Sequence, residues 1–139
     1  MKTLLSTFLS ILFITLVFST QVARAQEDVG RLLKELEESS DRFSKSLNQA
    51  LDRSKFNGTS TEDEINGYVK TYEDSTDRLK KNHDKGQDMR VSTQEVVQHA
   101  RTIDKFLKKN PMDATVKTDW NTVKAQLRRV ARAQKVKPF

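Results

Sequence analysis

Apolar residues recur every three or four positions in four successive segments of this chain, and this periodicity constrains the fold more than any other feature. The first segment covers residues 27–56, and the later stripes occupy residues 65–83, 96–107 and 116–134. A spacing of three and four residues places the apolar side chains on one face of an α-helix. The sequence therefore predicts four amphipathic helices.

Polar residues before three of these stripes predict where the helices begin. Thr61 with Glu64 and Ser92 with Glu95 have the spacing of a capping box, in which two side chains satisfy free backbone N–H groups. Asp113 is in position to cap the fourth helix. We therefore expect the last three helices to begin close to these residues.

Glycine and proline predict where the helices end. Gly58 can adopt the left-handed conformation that follows a helix, Gly86 follows the second stripe, and Pro111 follows the third. Beyond the fourth stripe we expect the tail, residues 135–139, to be frayed. Four helices with short connections bury their stripes together most simply as an up-down antiparallel bundle. The alternative is a three-helix bundle with a loosely packed C-terminal helix.

The amino terminus has the three parts of a secretory signal peptide. Lys2 supplies the positive charge, residues 4–18 are uncharged and mostly apolar, and Ala23 and Ala25 are small residues at the −3 and −1 positions of a cleavage site. The strongly apolar part is shorter than the about 20 residues of a membrane-spanning helix, which argues against an uncleaved anchor. We therefore expect a cleaved signal, residues 1–25, and a single exported domain, residues 26–139, in the periplasm or secreted.

Charge is distributed unevenly along the expected mature chain. Residues 26–77 contain 7 basic and 13 acidic residues, whereas residues 78–139 contain 16 basic and 6 acidic ones. One interpretation is that acidic early helices pair with basic late helices, because charge runs are usually solvated or paired surface. The other is that Arg128, Arg129, Arg132 and Lys135 form a patch for an anionic partner.

Such a partner could be an acidic protein, an anionic lipid surface or a polyanion. Nucleic acid is disfavoured, because an exported protein meets little of it and because Phe106 and Trp120 lie on apolar stripes instead of beside the cations. An amphipathic helix lying on a membrane would also need the apolar face that a bundle buries. The bundle interpretation accounts for all four stripes together.

Metal or cofactor binding is the main alternative function, with His83 or His99 as ligand. Glu95 and His99 are four residues apart, whereas di-iron bundles use glutamate and histidine three apart. The chain has no cysteine, so covalent haem attachment through C-x-x-C-H is excluded. We therefore expect no metal site and no cofactor.

Motifs for the common types of catalysis are absent from the sequence. It contains no cysteine nucleophile, no G-x-S-x-G turn, no glycine-rich phosphate loop and no H-E-x-x-H. The sequence thus favours a non-enzymatic role, either in binding or as a structural or stress-related component of the cell envelope.

Four short stretches resemble those of uncharacterised exported all-helical proteins of bacteria. They are Asp41-Arg42-Phe43, Leu51-Asp52-Arg53-Ser54, Ile103-Asp104-Lys105-Phe106 and Asp119-Trp120. The resemblance extends over most of the mature chain and implies a shared helical bundle. It implies no activity and no site residues.

Overall fold

The computed structural model describes residues 29–138, which form four helices. These are α1 (residues 29–52), α2 (Ser60–Asp84), α3 (Arg90–Lys109) and α4 (Ala114–Ala133). Residues 32–138 belong to one compact unit. The expected signal peptide and its cleavage after Ala25 lie outside the described residues.

The four helices form an antiparallel all-α bundle, as the sequence predicts. The Phe43 ring of α1 lies 4.8 Å from the Trp120 ring of α4, and Arg53 after α1 lies near Asp113 before α4. The opposite ends of α1 and α4 are therefore neighbours. In the α2–α3 pair, Tyr68 contacts Phe106, whereas Arg78 lies near Glu95, so these helices also run in opposite directions. Because α1 and α4 pack closely, the alternative of a loosely attached fourth helix is wrong.

The predicted stripes supply the core. The largest fully buried side chains belong to all four helices: Tyr72, Phe43, Leu36, Leu47, Leu51, Ile65, Leu79, Ile103, Leu127, Val96, Val116 and Val123. Trp120 is 3% exposed and contacts the rings of Phe43 and Tyr72, so it ties α4 to both α1 and α2. Removing large side chains from such a core leaves cavities that the fold cannot fully close.

A hydrogen-bonded polar pair lies inside this core. The hydroxyl of Tyr72 lies 3.0 Å from Ser40 Oγ, and Ser40 Oγ also donates to the Leu36 carbonyl. Ser40 occupies the position at which the α1 stripe lacks an apolar residue. Burial of the Ser40 hydroxyl does not lower the stability of the fold, because a buried hydroxyl with hydrogen-bond partners avoids the cost of an unsatisfied polar group.

Helix starts follow the sequence prediction at α4 and differ from it at α2 and α3. Asp113 Oδ1 accepts a hydrogen bond from Val116 N at 3.0 Å, which confirms the predicted cap. The start of α3 is at Arg90, two residues before the predicted cap, and Ser92 Oγ donates backwards to the Met89 carbonyl. Buried Ser92 faces the core, so its hydroxyl is not available to cap.

At the start of α2, the predicted capping pair of Thr61 and Glu64 does not form the cap. The helix begins at Ser60, and the side chain that reaches back belongs to Glu62, which accepts from Gly58 N at 2.6 Å. Helix α1 ends at residue 52, four residues before the predicted end, and Gly58 adopts a left-handed conformation within the turn that follows.

The C-terminal tail is held against the bundle, at least as far as residue 138. Lys135 adopts a left-handed conformation with φ 55°, which lets Val136 N bond the Ala131 carbonyl and buries the Val136 side chain. Arg101 Nη2 donates to the Pro138 carbonyl at 3.1 Å. This arrangement is a Schellman-type helix end, with an apolar contact after the left-handed residue. The expectation of a frayed tail is wrong for residues 135–138.

Candidate functional site

The four cations of the predicted patch lie at the C-terminal end of α4, and the structure divides them into two groups. Arg129 Nη1 donates to Glu35 of α1 and to Gln126 Oε1 at 2.7 Å. Arg128 is half-buried, and Arg132 and Lys135 are exposed. Within the described part of the chain these last three form no ion pair. Arg129 thus serves the bundle itself, whereas the other three cations have no acidic partner within the described residues.

The unpaired cations continue a longer row of positive charge along α4. Lys117, Lys124 and Arg128 are separated by seven and four residues, so they share one side of α4, and Lys135 follows the end of the helix. Lys124 contacts Asp104 of α3, which shows that this side borders α3. On the α3 side of this border, Lys108 contacts the same aspartate.

Asp104 is the acid that lies between these cations. Its Oδ1 accepts from Trp120 Nε1 and from Lys124 Nζ, both at 3.0 Å, and its Oδ2 lies 2.7 Å from Lys108 Nζ. The Asp104 side chain is 14% exposed and that of Lys124 is 18% exposed. Burial by itself would raise the pKa of the Asp104 carboxyl, but hydrogen bonds from Lys108, Trp120 and Lys124 outweigh it and lower the pKa to about 2.

A cavity of about 320 Å³ opens beside this cluster, between the end of α3 and the first turns of α4. Its apolar lining consists of Leu107, Pro111, Met112, Val116 and Trp120. Its polar lining consists of Asp104, Lys108, Lys117, Asn121 and Lys124. The volume lies near the lower end of the roughly 300–1,000 Å³ range of small-molecule sites.

Sequence reasoning did not find this cavity or the Asp104 cluster. The spacing of Asp104 and Lys108 suggests an i,i+4 pair, but the contacts to Trp120 and Lys124 depend on how α3 and α4 are aligned. That alignment is set by packing across two helices. No local pattern in the sequence specifies it.

The two histidines do not come together in the structure. His83 lies in the last turn of α2 next to Asp84, and His99 lies half-buried in the middle of α3. Among residues 29–138 no group of three or more acidic or histidine side chains is placed to hold a metal ion. The cofactor-carrier alternative stays a prediction.

Comparison with protein-family models, with curated proteins and with solved structures found no match to this chain. The resemblance to exported bacterial helical proteins accordingly stays a prediction. Across the described residues, no helix combines the length and apolarity needed to cross a membrane.

Proposed function

We propose that this protein is an exported, non-enzymatic helix bundle of the cell envelope that binds an anionic partner at the C-terminal end of α4. One observation carries the proposal: Arg128, Arg132 and Lys135 form no ion pair within residues 29–138. Clustered cations without acidic neighbours raise the local concentration of anions and release counterions when an anionic surface binds.

The other ion pairs between helices argue against the pairing interpretation of the charge asymmetry. Arg129 with Glu35 joins a basic residue of α4 to an acid of α1, as that interpretation requires. The pair Arg53 with Asp113 has the opposite polarity, and the pairs Arg78 with Glu95 and Lys124 with Asp104 both lie within the basic half, residues 78–139. Pairing between an acidic early half and a basic late half thus accounts for little of the positive charge on α4.

A matched pair of charge variants tests the proposal. The test variant carries Arg128→Gln, Arg132→Gln and Lys135→Gln. The control carries Arg42→Gln, Lys45→Gln and Lys70→Gln, which removes the same charge from exposed residues of α1 and α2 that form no ion pair within the described chain. Co-sedimentation is measured with vesicles containing phosphatidylglycerol and with purely zwitterionic vesicles, at low and at high salt.

We expect the unmodified protein and the control to bind the anionic vesicles at low salt and to lose binding at high salt. The test variant should bind at least about tenfold more weakly, because cations near an anionic surface contribute roughly 1 kcal/mol each and the variant lacks three of them. Polyphosphate added as a competitor should displace the protein if the patch accepts anions generally. Equal binding by the test variant and the control, or no binding of the unmodified protein to vesicles or to polyphosphate, would refute the proposal.

A further inference from the structure

The cavity beside Asp104 is separate from the proposed patch. Val116, which lines the cavity, lies in the first turn of α4, whereas Arg132 and Lys135 lie at the other end of that helix. The cavity also combines apolar walls with three lysines, which the patch does not. The two sites can therefore be altered independently.

We propose that this cavity binds a small amphipathic carboxylate, with its apolar body against Leu107, Met112 and Trp120 and its carboxylate at Lys117. Ligand sites are typically mostly apolar with a few well-placed polar groups, and the lining of this cavity has that composition. Leu107 and Met112 are only half-buried, so an apolar ligand would remove part of their surface from water.

The charges around the cavity select for an anion. Three lysines and one aspartate line it, and both oxygens of the Asp104 carboxylate already have partners. A cationic ligand would have to displace Lys108 or Lys124 from Asp104. Lys117 is exposed and forms no ion pair in the described part of the chain, so it can receive a carboxylate without breaking a contact.

Trp120 provides a direct readout, because it is the single tryptophan of the chain and lines the cavity. Octanoate, octanol and octylammonium form a matched series of one apolar chain with a negative, a neutral and a positive head. Each is titrated in monomeric form into the purified protein, and both the Trp120 fluorescence and the NMR signal of its indole N–H are followed. We expect a saturable change with octanoate and at least about fivefold weaker binding of octanol and octylammonium, as for one favourable charge contact at a partly exposed site.

A charge reversal at one exposed residue tests which group holds the carboxylate. Lys117→Glu should weaken octanoate binding about three- to tenfold, since an attraction becomes a repulsion, and should favour octylammonium by a similar factor. Lys45→Glu, on exposed surface of α1 away from the cavity, makes the same charge change and should leave both affinities as they are.

The outcomes distinguish this site from the proposed patch. The variant with Arg128, Arg132 and Lys135 changed to glutamine should bind octanoate as the unmodified protein does. No saturable response of Trp120 to octanoate would overturn the cavity proposal. Equal affinity for octanoate, octanol and octylammonium would also overturn it. An unchanged preference for octanoate over octylammonium in Lys117→Glu would do the same.

Discussion

Replacing Asp104 by asparagine removes one negative charge from the junction of α3 and α4 while keeping the shape of the side chain. The carboxylate accepts from Trp120 Nε1 and Lys124 Nζ at 3.0 Å, and from Lys108 Nζ at 2.7 Å. An asparagine oxygen can still accept from the indole. The variant therefore tests the electrostatic part of the cluster and leaves the core packing of Trp120 in place.

The magnitude follows from the pKa of Asp104, which its partners lower from 3.8 to about 2. One pKa unit corresponds to about 1.4 kcal/mol, so the ionised carboxylate stabilises the folded state by about 2 kcal/mol. The carboxyl binds its proton less tightly in the folded than in the unfolded chain. Its contribution is therefore complete above about pH 4 and disappears as the pH falls through about 2.

Urea denaturation followed by circular dichroism at pH 6, 4 and 2 measures this contribution as the difference between the unmodified protein and Asp104→Asn. We expect a difference of about 2 kcal/mol at pH 6 that falls below about 1 kcal/mol at pH 2. The lowered pKa values of Asp84 and Asp88 affect both proteins and cancel in the difference. A difference that stays constant with pH would refute the reasoning.

Asp119→Asn is the matched control, because Asp119 lies on the same helix as Trp120 and forms no ion pair in the described residues. Surface changes of this kind usually alter stability by less than about 0.5 kcal/mol. A control that lost as much stability as Asp104→Asn would show that the effect is general to α4 and does not arise from the cluster.

Three further expectations concern the core, the amino terminus and the end of α4. Trp120→Ala should cost about 3–5 kcal/mol in urea denaturation, as truncation of a buried large aromatic does, and a loss below about 1 kcal/mol would contradict its place in the core. Mass spectrometry of the exported protein should show cleavage after Ala25 and an amino-terminal Gln26, whereas a membrane-bound species that keeps residues 1–25 would exclude the signal peptide. Lys135→Gly should raise the free energy of unfolding by about 1 kcal/mol in urea denaturation, because glycine adopts the left-handed conformation without steric cost. The control Lys137→Gly removes the same charge and should not raise the free energy of unfolding. Equal effects of the two variants would argue against strain at Lys135.

The helices and the core were predictable because both depend on local periodicity. Most apolar stripe residues, such as Val116, Trp120 and Val123, are buried as expected, whereas Tyr68 and Leu107 at the edges of their stripes are half-buried. The start of α3 was not predictable in the same way. Ser92 has the sequence spacing of a cap, but burial of its side chain outweighs the capping preference.

The sequence predicts which cations the candidate site contains, but it does not predict which residues they contact. The sequence places Arg128, Arg129 and Arg132 on one helix, but it does not say that Glu35 lies opposite Arg129 and not opposite its neighbours. Ion pairs between helices depend on their relative rotation and axial alignment. Those are determined by the packing of whole helices, which residue spacing within one helix does not encode.

Lys135 links the fold to the proposed function. Glycine holds the left-handed position after α2, at Gly86, whereas the corresponding turn after α4 has a lysine with φ 55°. A left-handed non-glycine residue costs the fold roughly 1 kcal/mol, and Lys135 forms no ion pair within residues 29–138 that would offset this cost. The helix end requires the left-handed conformation, because Val136 N bonds the Ala131 carbonyl there, but it does not require a lysine side chain. The charge of Lys135 therefore supports the proposed contact with an anionic partner, next to Arg132 at the end of α4.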